Sequence, residues 1–333
     1  MKAVTIANPN DVEIVELPQP EPAEGEVVIK VMSCGICGTD IHIFRGDYMG
    51  KYPVIPGHEF SGVVESAGKE VSRFKPGDRV AVEPNISCQN CRNCLNNREN
   101  FCENWQAVGV TRPGGMAQYV AVPESAVFDI GDMPFDRAAF MEPLSCVLHG
   151  IERAGIRMGD RVAILGAGPI GVLLLKSVLL RGVVEVTVVE KNSARREFAQ
   201  RSGAQKTFPD LSDPEHDYFD VVIDATGVIE VMARTLDFVR HGGSVLLFGV
   251  PPSGKFMQIE PFTIFRKGLT MLSSFTSLRN SYQAIDLLSS GRIDADSLIS
   301  HRLSLDQFPQ GVETIEQVKD NVMKVVVFPN GLV

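Results

Sequence analysis

Hydrophobic and polar positions change rhythm twice along the chain. From residue 1 to about 143 the apolar residues come in short runs broken by Gly and Pro: Lys2-Ala-Val-Thr-Ile, Glu26-Val-Val-Ile-Lys-Val, Ser61-Gly-Val-Val-Glu and Asp78-Arg-Val-Ala-Val. Short runs bounded by turn residues predict an irregular, barrel-like β domain. From about 144 to 276 strand-like runs alternate with helical stretches. Arg161-Val-Ala-Ile-Leu leads into a helix after Pro169, and Val184-Glu-Val-Thr-Val-Val into a helix from Ser193. Tyr218-Phe-Asp-Val-Val-Ile-Asp leads into a helix from Ile229 to Arg240, and Ser244-Val-Leu-Leu-Phe-Gly closes the series. A parallel neighbour needs a long crossover, so this alternation predicts a parallel sheet covered by helices on both faces. The tail after 277 offers one helix, Tyr282 to Ser290, and a last strand, Met323-Lys-Val-Val-Val-Phe. It is expected to return to the first domain. The fold class is therefore α/β plus β, divided as 1–143, 144–276 and 277–333.

Length supports two domains, because one hydrophobic core stops growing near the 333 residues present here. The net charge of -9 argues against a nucleic-acid binder, which needs a basic face to neutralise phosphates. The longest apolar run, Val162 to Leu175, stops at Lys176 and is too short to span a bilayer. Asp11, Glu13 and Glu16 interrupt the stretch Met1 to Pro20, where a signal peptide would need an apolar core. A cytoplasmic protein with a small-molecule partner, and neither nucleic acid nor membrane, is expected.

Four of the seven cysteines fall in one short segment: Cys88-x-x-Cys91-x-x-Cys94, then Cys102. Such crowding favours metal over disulfides. Four thiolates complete a zinc tetrahedron and leave no open position, which is the pattern of a structural zinc. An iron–sulfur cluster is the other metal reading; no second cluster motif accompanies it.

Gly166-Ala-Gly168-Pro169-Ile170-Gly171 follows one predicted strand and opens a predicted helix, and Glu190 ends the next strand. In that context the glycines read as a dinucleotide turn, with Glu190 on the adenosine ribose. The helix N-terminus offers free N–H groups to the pyrophosphate. Glu190 would repel a 2′-phosphate, which favours NAD over NADP; Lys191, Arg195 and Arg196 weaken that preference.

Three scattered pieces look like ligands of a second metal: Cys37 in Cys34-Gly-Ile-Cys-Gly-Thr-Asp40, His58-Glu59 in Pro56-Gly-His-Glu-Phe60, and Glu142 in Met141-Glu-Pro-Leu-Ser145. None decides the matter alone. Taken in order with the cysteine loop, the glycine turn and Asp224-Ala-Thr-Gly227, they resemble the zinc-containing medium-chain dehydrogenase/reductase superfamily across the whole chain, in particular its polyol (sorbitol-type) branch.

The resemblance implies a GroES-like catalytic domain, closed by the C-terminal tail, with a Rossmann coenzyme domain inserted. It implies a catalytic zinc on Cys37 and His58. Glu142 stands where polyol and threonine dehydrogenases carry a glutamate, and Glu59 either binds the metal directly or stands behind a ligand. It also implies a proton relay through Thr39 and His42, although His42 also reads as a capping or stacking histidine. Ile170 and Arg195 are implied to touch the cofactor, and Thr226, Gly249, Val250, Ser274 and Phe275 to face its nicotinamide half. Cys34 is expected to pack beside the catalytic site and Cys146 near the domain junction. The implied activity is NAD-linked oxidation of a secondary alcohol of a polyol, sugar alcohol or related diol, in a homotetramer. L-threonine 3-dehydrogenase and phosphopolyol dehydrogenase are the alternatives; Arg45, Lys51 and Arg112 are the basic residues that could meet a phosphate. A catalytically silent relative is the reading from another class, and the presence of every ligand argues against it.

Overall fold

A computed structural model describes residues 1–49 and 51–331. They divide into two compact units, Met1–Ser145 with Ser277–Val333, and Cys146–Thr276. No helix among the described residues is long and apolar enough to cross a membrane.

The first unit is built on a seven-stranded sheet. Its order is Ile299–Ser304, Lys324–Phe328, Glu26–Ile36, Glu59–Ala67, Arg79–Val82 and Val127–Asp129, with Tyr119–Pro123 also pairing with Glu26–Ile36. The long strand Glu26–Ile36 is its spine. Val27, Val28, Ile29 and Val31 are fully buried, and Val27, Ile29 and Val31 pack with Phe60, Val80, Val122, Val325 and Phe308 in one core. Pairing register decides what meets at one end of this spine. Gly35 lies opposite Glu59 on one side and opposite Val326 on the other. The tail strand therefore brings Lys324 to the place where Glu59 begins its strand and Cys37 follows the end of the spine.

The second unit is a six-stranded parallel sheet in the order Lys206–Phe208, Glu185–Val189, Arg161–Leu165, Phe219–Asp224, Val239–Leu247, Thr270–Ser273. The central strands are buried along almost their whole length, as a sheet covered on both faces requires. Strand order reverses between Arg161–Leu165 and Phe219–Asp224. Ligands of open α/β sheets bind outside the carboxyl ends of the strands at such a switch point.

The helix expected to run to Arg240 stops at Phe238, and the next strand starts at Val239 rather than Ser244. Val239 pairs with Phe219, a register shift follows, and Gly242 turns at φ 72°. A β-branched residue and a Gly-Gly pair suit that bulged strand better than a helix end. The edge strands Lys206–Phe208 and Thr270–Ser273 and the helix Pro261–Lys267 were not legible; segments this short show no clear period.

Candidate metal and nucleotide sites

Cys37 caps the N-terminus of the helix Gly38–Arg45, His58 precedes the strand Glu59–Ala67, and Glu59 is that strand's first residue. Their ligand atoms all lie within 4.8 Å of one another. His58 and Glu59 are buried, and Glu59 Oε1 lacks a hydrogen-bond partner. Lys324, itself buried, forms an ion pair with Glu59 Oε2. Gly35 makes room for that pair, because a Cβ there would overlap Glu59 Oε2 and sit 2.8 Å from Lys324 Cε.

Asp40 organises the cluster from below. Its carboxylate accepts the Cys37 N–H at 2.8 Å and the Gly57 N–H at 3.1 Å, and Oδ1 stands 3.5 Å from His58 Nδ1. Burial works against the charge on Asp40, yet His58 and the two N–H groups hold its pKa below the usual carboxylate value. Burial likewise opposes a charged His58, but Asp40 and Cys37 hold its pKa well above the ordinary histidine value. Lys324 is raised in the same way, Glu59 and Cys37 outweighing its burial. Anions and cations here are held together in a dry setting, where they interact strongly.

Glu142 is buried in the first turn of the helix Met141–Ala154 and is not one of the three groups that converge within 4.8 Å. Cys34 is fully buried next to Gly57 and Gly35, with its pKa raised well above the thiol value by burial. Cys146 is the first residue of the second unit. Thr39 and His42 both stand on the helix Gly38–Arg45, one turn apart.

The four remaining cysteines form a second cluster within the same 4.8 Å limit. Cys91 caps the short helix Arg92–Leu95, which carries Cys94, and Cys102 follows the turn Glu99–Phe101. The Sγ atoms of Cys91–Cys94, Cys88–Cys102 and Cys91–Cys102 are 3.4, 3.5 and 3.9 Å apart. A zinc tetrahedron with Zn–S bonds of about 2.3 Å has edges of about 3.8 Å, so the loop is already shaped for the ion. The backbone N–H of Asn90 and other donors lower the Cys88 pKa to about 6, while burial and its neighbouring thiols push Cys94 up to about 12.

In the second unit, Gly166 takes φ 103° where the strand Arg161–Leu165 turns, and a Cβ on Gly171 would overlap the Gly166 carbonyl oxygen. The first and third glycines are thus fixed by the fold. A Cβ on Gly168 would meet no protein atom within 4 Å, so that glycine leaves space for something outside the chain. Pro169 opens the helix Pro169–Leu179, half-buried Ile170 follows, and the free N–H groups of its first turn lie here. Glu190 accepts the Ala167 and Asn192 N–H groups, each at 2.8 Å, so its carboxylate is held beside the glycine turn. Arg195 stands in the first turn of the next helix; burial lowers its pKa despite the nearby Glu190 charge. Thr226 donates to Asp224 at 2.6 Å, Gly249 packs against Gly227 too closely for a side chain, and half-exposed Val250 follows it. Ser274 Oγ is buried without a partner, and half-buried Phe275 follows it beyond the strand Thr270–Ser273.

Two family models match the chain: the alcohol dehydrogenase GroES-like domain over residues 23–132 and the zinc-binding dehydrogenase over 169–290. D-arabinitol dehydrogenase 1 of Uromyces fabae is 31% identical over 99% of this chain and 97% of its own length. D-altritol 5-dehydrogenase of Agrobacterium fabrum is 36% identical over 92% of this chain and 94% of its own. The chain belongs to the zinc-binding dehydrogenases, in their polyol branch. Among solved structures, a zinc-binding dehydrogenase of Sinorhizobium meliloti bound to NADP superposes with a TM-score of 0.93 at 36% identity, covering 98% of this chain and 99% of that one.

A zinc-binding dehydrogenase needs zinc and a nicotinamide dinucleotide, and the residues present fit both. The orphaned Oε1 of Glu59 and the preformed sulfur cluster suit a divalent cation, and the open approach at Gly168 suits a pyrophosphate. Sequence reasoning missed Asp40 and Lys324 in this dehydrogenase. Asp40 lies three residues after the helix-capping Cys37, a spacing at which a carboxylate reaches back to the cap N–H. Lys324 shows only as one charge inside an apolar strand, and its partner lies 265 positions away.

Proposed function

We propose that this dehydrogenase oxidises a secondary alcohol of a polyol, sugar alcohol or related diol and passes the hydride to NAD. The observation that carries the reading is the convergence of Cys37 with buried His58 and Glu59, with Glu59 Oε1 left without a partner. Bound zinc would supply a Lewis acid that makes a substrate hydroxyl acidic near neutral pH. Cys37 and His58 would hold it, with Glu59 and Glu142 as the carboxylates within the same unit. Asp40 Oδ1 faces Nδ1 of His58 at 3.5 Å, which would leave Nε2 for the metal. Thr39 and His42 would carry the hydroxyl proton outward. Cys88, Cys91, Cys94 and Cys102 would hold the structural zinc.

On the coenzyme side, Gly166, Gly168 and Gly171 would seat the pyrophosphate, with Pro169, Ile170 and Arg195 around the adenosine end. Thr226, Gly249, Val250, Ser274 and Phe275 would border the nicotinamide half. Glu190 would accept the ribose hydroxyls. Arg196, the neighbouring cation, is engaged with the Glu190 carbonyl at 2.8 Å, which supports NAD over NADP. Arg45 is held by Glu316 at 2.8 Å, which supports an unphosphorylated polyol.

We further infer a cytoplasmic homotetramer. Phe262 and Phe265, whose ring centroids lie 6.2 Å apart, are 60% and 82% exposed, an apolar surface that another copy would cover.

Metal analysis should find two zincs per chain. A panel of polyols, phosphopolyols, diols and threonine, read by NADH absorbance, should give turnover with polyols. Cys37→Ser should abolish it while NAD binding persists; turnover retained by that variant would overturn the assignment.

A further inference from the structure

The chain leaves the first unit after Ser145 and returns to it at Ser277. The return is sharply bent. Thr276 and Arg279 take φ 53° and 61°, a left-handed conformation uncommon for residues other than glycine. Such bends persist where surrounding contacts hold them. Two carboxylates of the first unit supply those contacts. Glu83 Oε2 accepts the Ser277 hydroxyl at 2.7 Å and the Ser281 hydroxyl at 3.0 Å, and Ser281 opens the helix Ser281–Ser289. Ser145 Oγ lies 3.4 Å from the same oxygen, so the exit and the return meet at one side chain. All three serines are buried. Between the two anchored serines, Arg279 forms an ion pair with Glu99.

Both carboxylates lead back to the cysteine loop. Glu99 stands in the turn Glu99–Phe101, and its carbonyl accepts the Cys102 N–H at 3.0 Å. Glu83 Oε1 accepts the side-chain amide of Asn85 at 2.5 Å, and Asn85 Oδ1 accepts the indole N–H of Trp105 at 3.1 Å. The Trp105 backbone N–H in turn donates to the Cys102 carbonyl at 3.1 Å. A metal bound by four thiolates of one loop is coupled to the folding of that loop. We propose that Glu83 and Glu99 clasp the returning segment, 277–281, to the cysteine loop, so that metal in the loop sets the order of the place where the chain re-enters the first unit. The clasp rests on the reading of the four cysteines as a zinc site. The competing account is that loop and return are each held by their own packing, and that Arg279, its side chain 62% exposed, forms a surface pair of little weight. The two accounts differ in whether loss of the loop metal is felt at the return.

Hydrogen exchange of the full zinc-loaded chain, read by mass spectrometry on peptides covering 277–289, separates them. Cys94→Ser, by losing the loop zinc, should speed exchange in the helix Ser281–Ser289 about 10-fold to 100-fold. Glu83→Ala should do the same while both zincs stay bound. Glu83→Gln keeps an acceptor oxygen for the serine hydroxyls and should fall between wild type and Glu83→Ala. The pair Ser277→Ala and Ser281→Ala removes the same bonds from the other side; it should match Glu83→Ala, and it serves where that variant does not fold. With Glu83→Ala and Arg279→Ala combined the segment is already released, so adding Cys94→Ser should quicken it no further. The helix Phe308–Glu316 should keep its rate throughout, which distinguishes local release from general unfolding. If Cys94→Ser loses one zinc and the helix Ser281–Ser289 exchanges as in wild type, the zinc reading stands and the clasp falls. If Cys94→Ser quickens exchange equally in the wild-type and the doubly substituted backgrounds, the coupling does not run through Glu83 and Glu99, and the clasp falls again. If Cys94→Ser keeps both zincs, the zinc reading fails and takes the clasp with it.

Discussion

Replacing Lys324 with Met should weaken the metal-free protein and tighten its hold on zinc. The Lys324 side chain is 8% exposed and that of Glu59 1%, and apart from Lys324 the Glu59 oxygens have no partner to fall back on. Methionine keeps the length of the stem but removes the ammonium, leaving a buried carboxylate without a counter-charge. Breaking a buried pair in this way costs about 3–5 kcal/mol. In the zinc-loaded protein the cation stands beside the same carboxylate and offsets most of that loss, so the remaining cost should be about 1 kcal/mol. The difference, about 2–4 kcal/mol, must by linkage appear as tighter zinc binding, about 30-fold to 1000-fold. Trp105 is the sole tryptophan and lies in the first unit, so its fluorescence follows urea unfolding of the part that matters. Zinc affinity is measured by competition with a chelator and metal analysis. Both chains carry the same cysteine loop, whose zinc cancels in the comparison. An equal loss of stability with and without zinc, or weaker zinc binding by the variant, would refute the reasoning.

Glu190→Ala should shift the ratio of kcat/KM for NADP over NAD upward by about 10-fold to 100-fold, since a charged hydrogen-bonding partner of the ribose is lost and a repulsion of the 2′-phosphate removed; an unchanged ratio in steady-state assays would contradict the ribose role. Cys94→Ser should leave one zinc per chain by metal analysis and expose the loop from Cys88 to Cys102 to proteolysis, because the zinc tetrahedron loses the sulfur of a buried cysteine and with it much of the loop's order. Two zincs retained by that variant would sink the structural-zinc assignment.

What the sequence made legible follows from how local each signal is. The cysteine loop, the glycine turn and the helix after Pro169 are written within a few residues, and the structure places Cys88, Cys91, Cys94 and Cys102 together and Gly166 in its turn. The Cys37–His58–Glu59 convergence needed a family resemblance, because strand register brings those residues together, and register is a property of two distant segments. Lys324 was out of reach for the same reason. Its meeting with Glu59 depends on the tail strand pairing with Glu26–Ile36 beside Gly35. The helix ending at Phe238 rather than Arg240 shows the opposite limit: tertiary pairing of Val239 with Phe219 overrides a local pattern that would carry the helix on.

Charge explains why the catalytic cluster has this composition. Asp40 and Glu59 place two carboxylates where both are almost wholly buried; Lys324 pairs with Glu59, and His58 faces Asp40. A buried carboxylate without a counter-charge is costly. Had Lys324 been apolar, Glu59 would lose its cation; had Asp40 been neutral, His58 would lose the acceptor that faces Nδ1. The lysine thus balances the carboxylate of Glu59, whose other oxygen, Oε1, has no partner. Gly35 completes the logic, because any side chain there would occupy the space in which Glu59 and Lys324 meet.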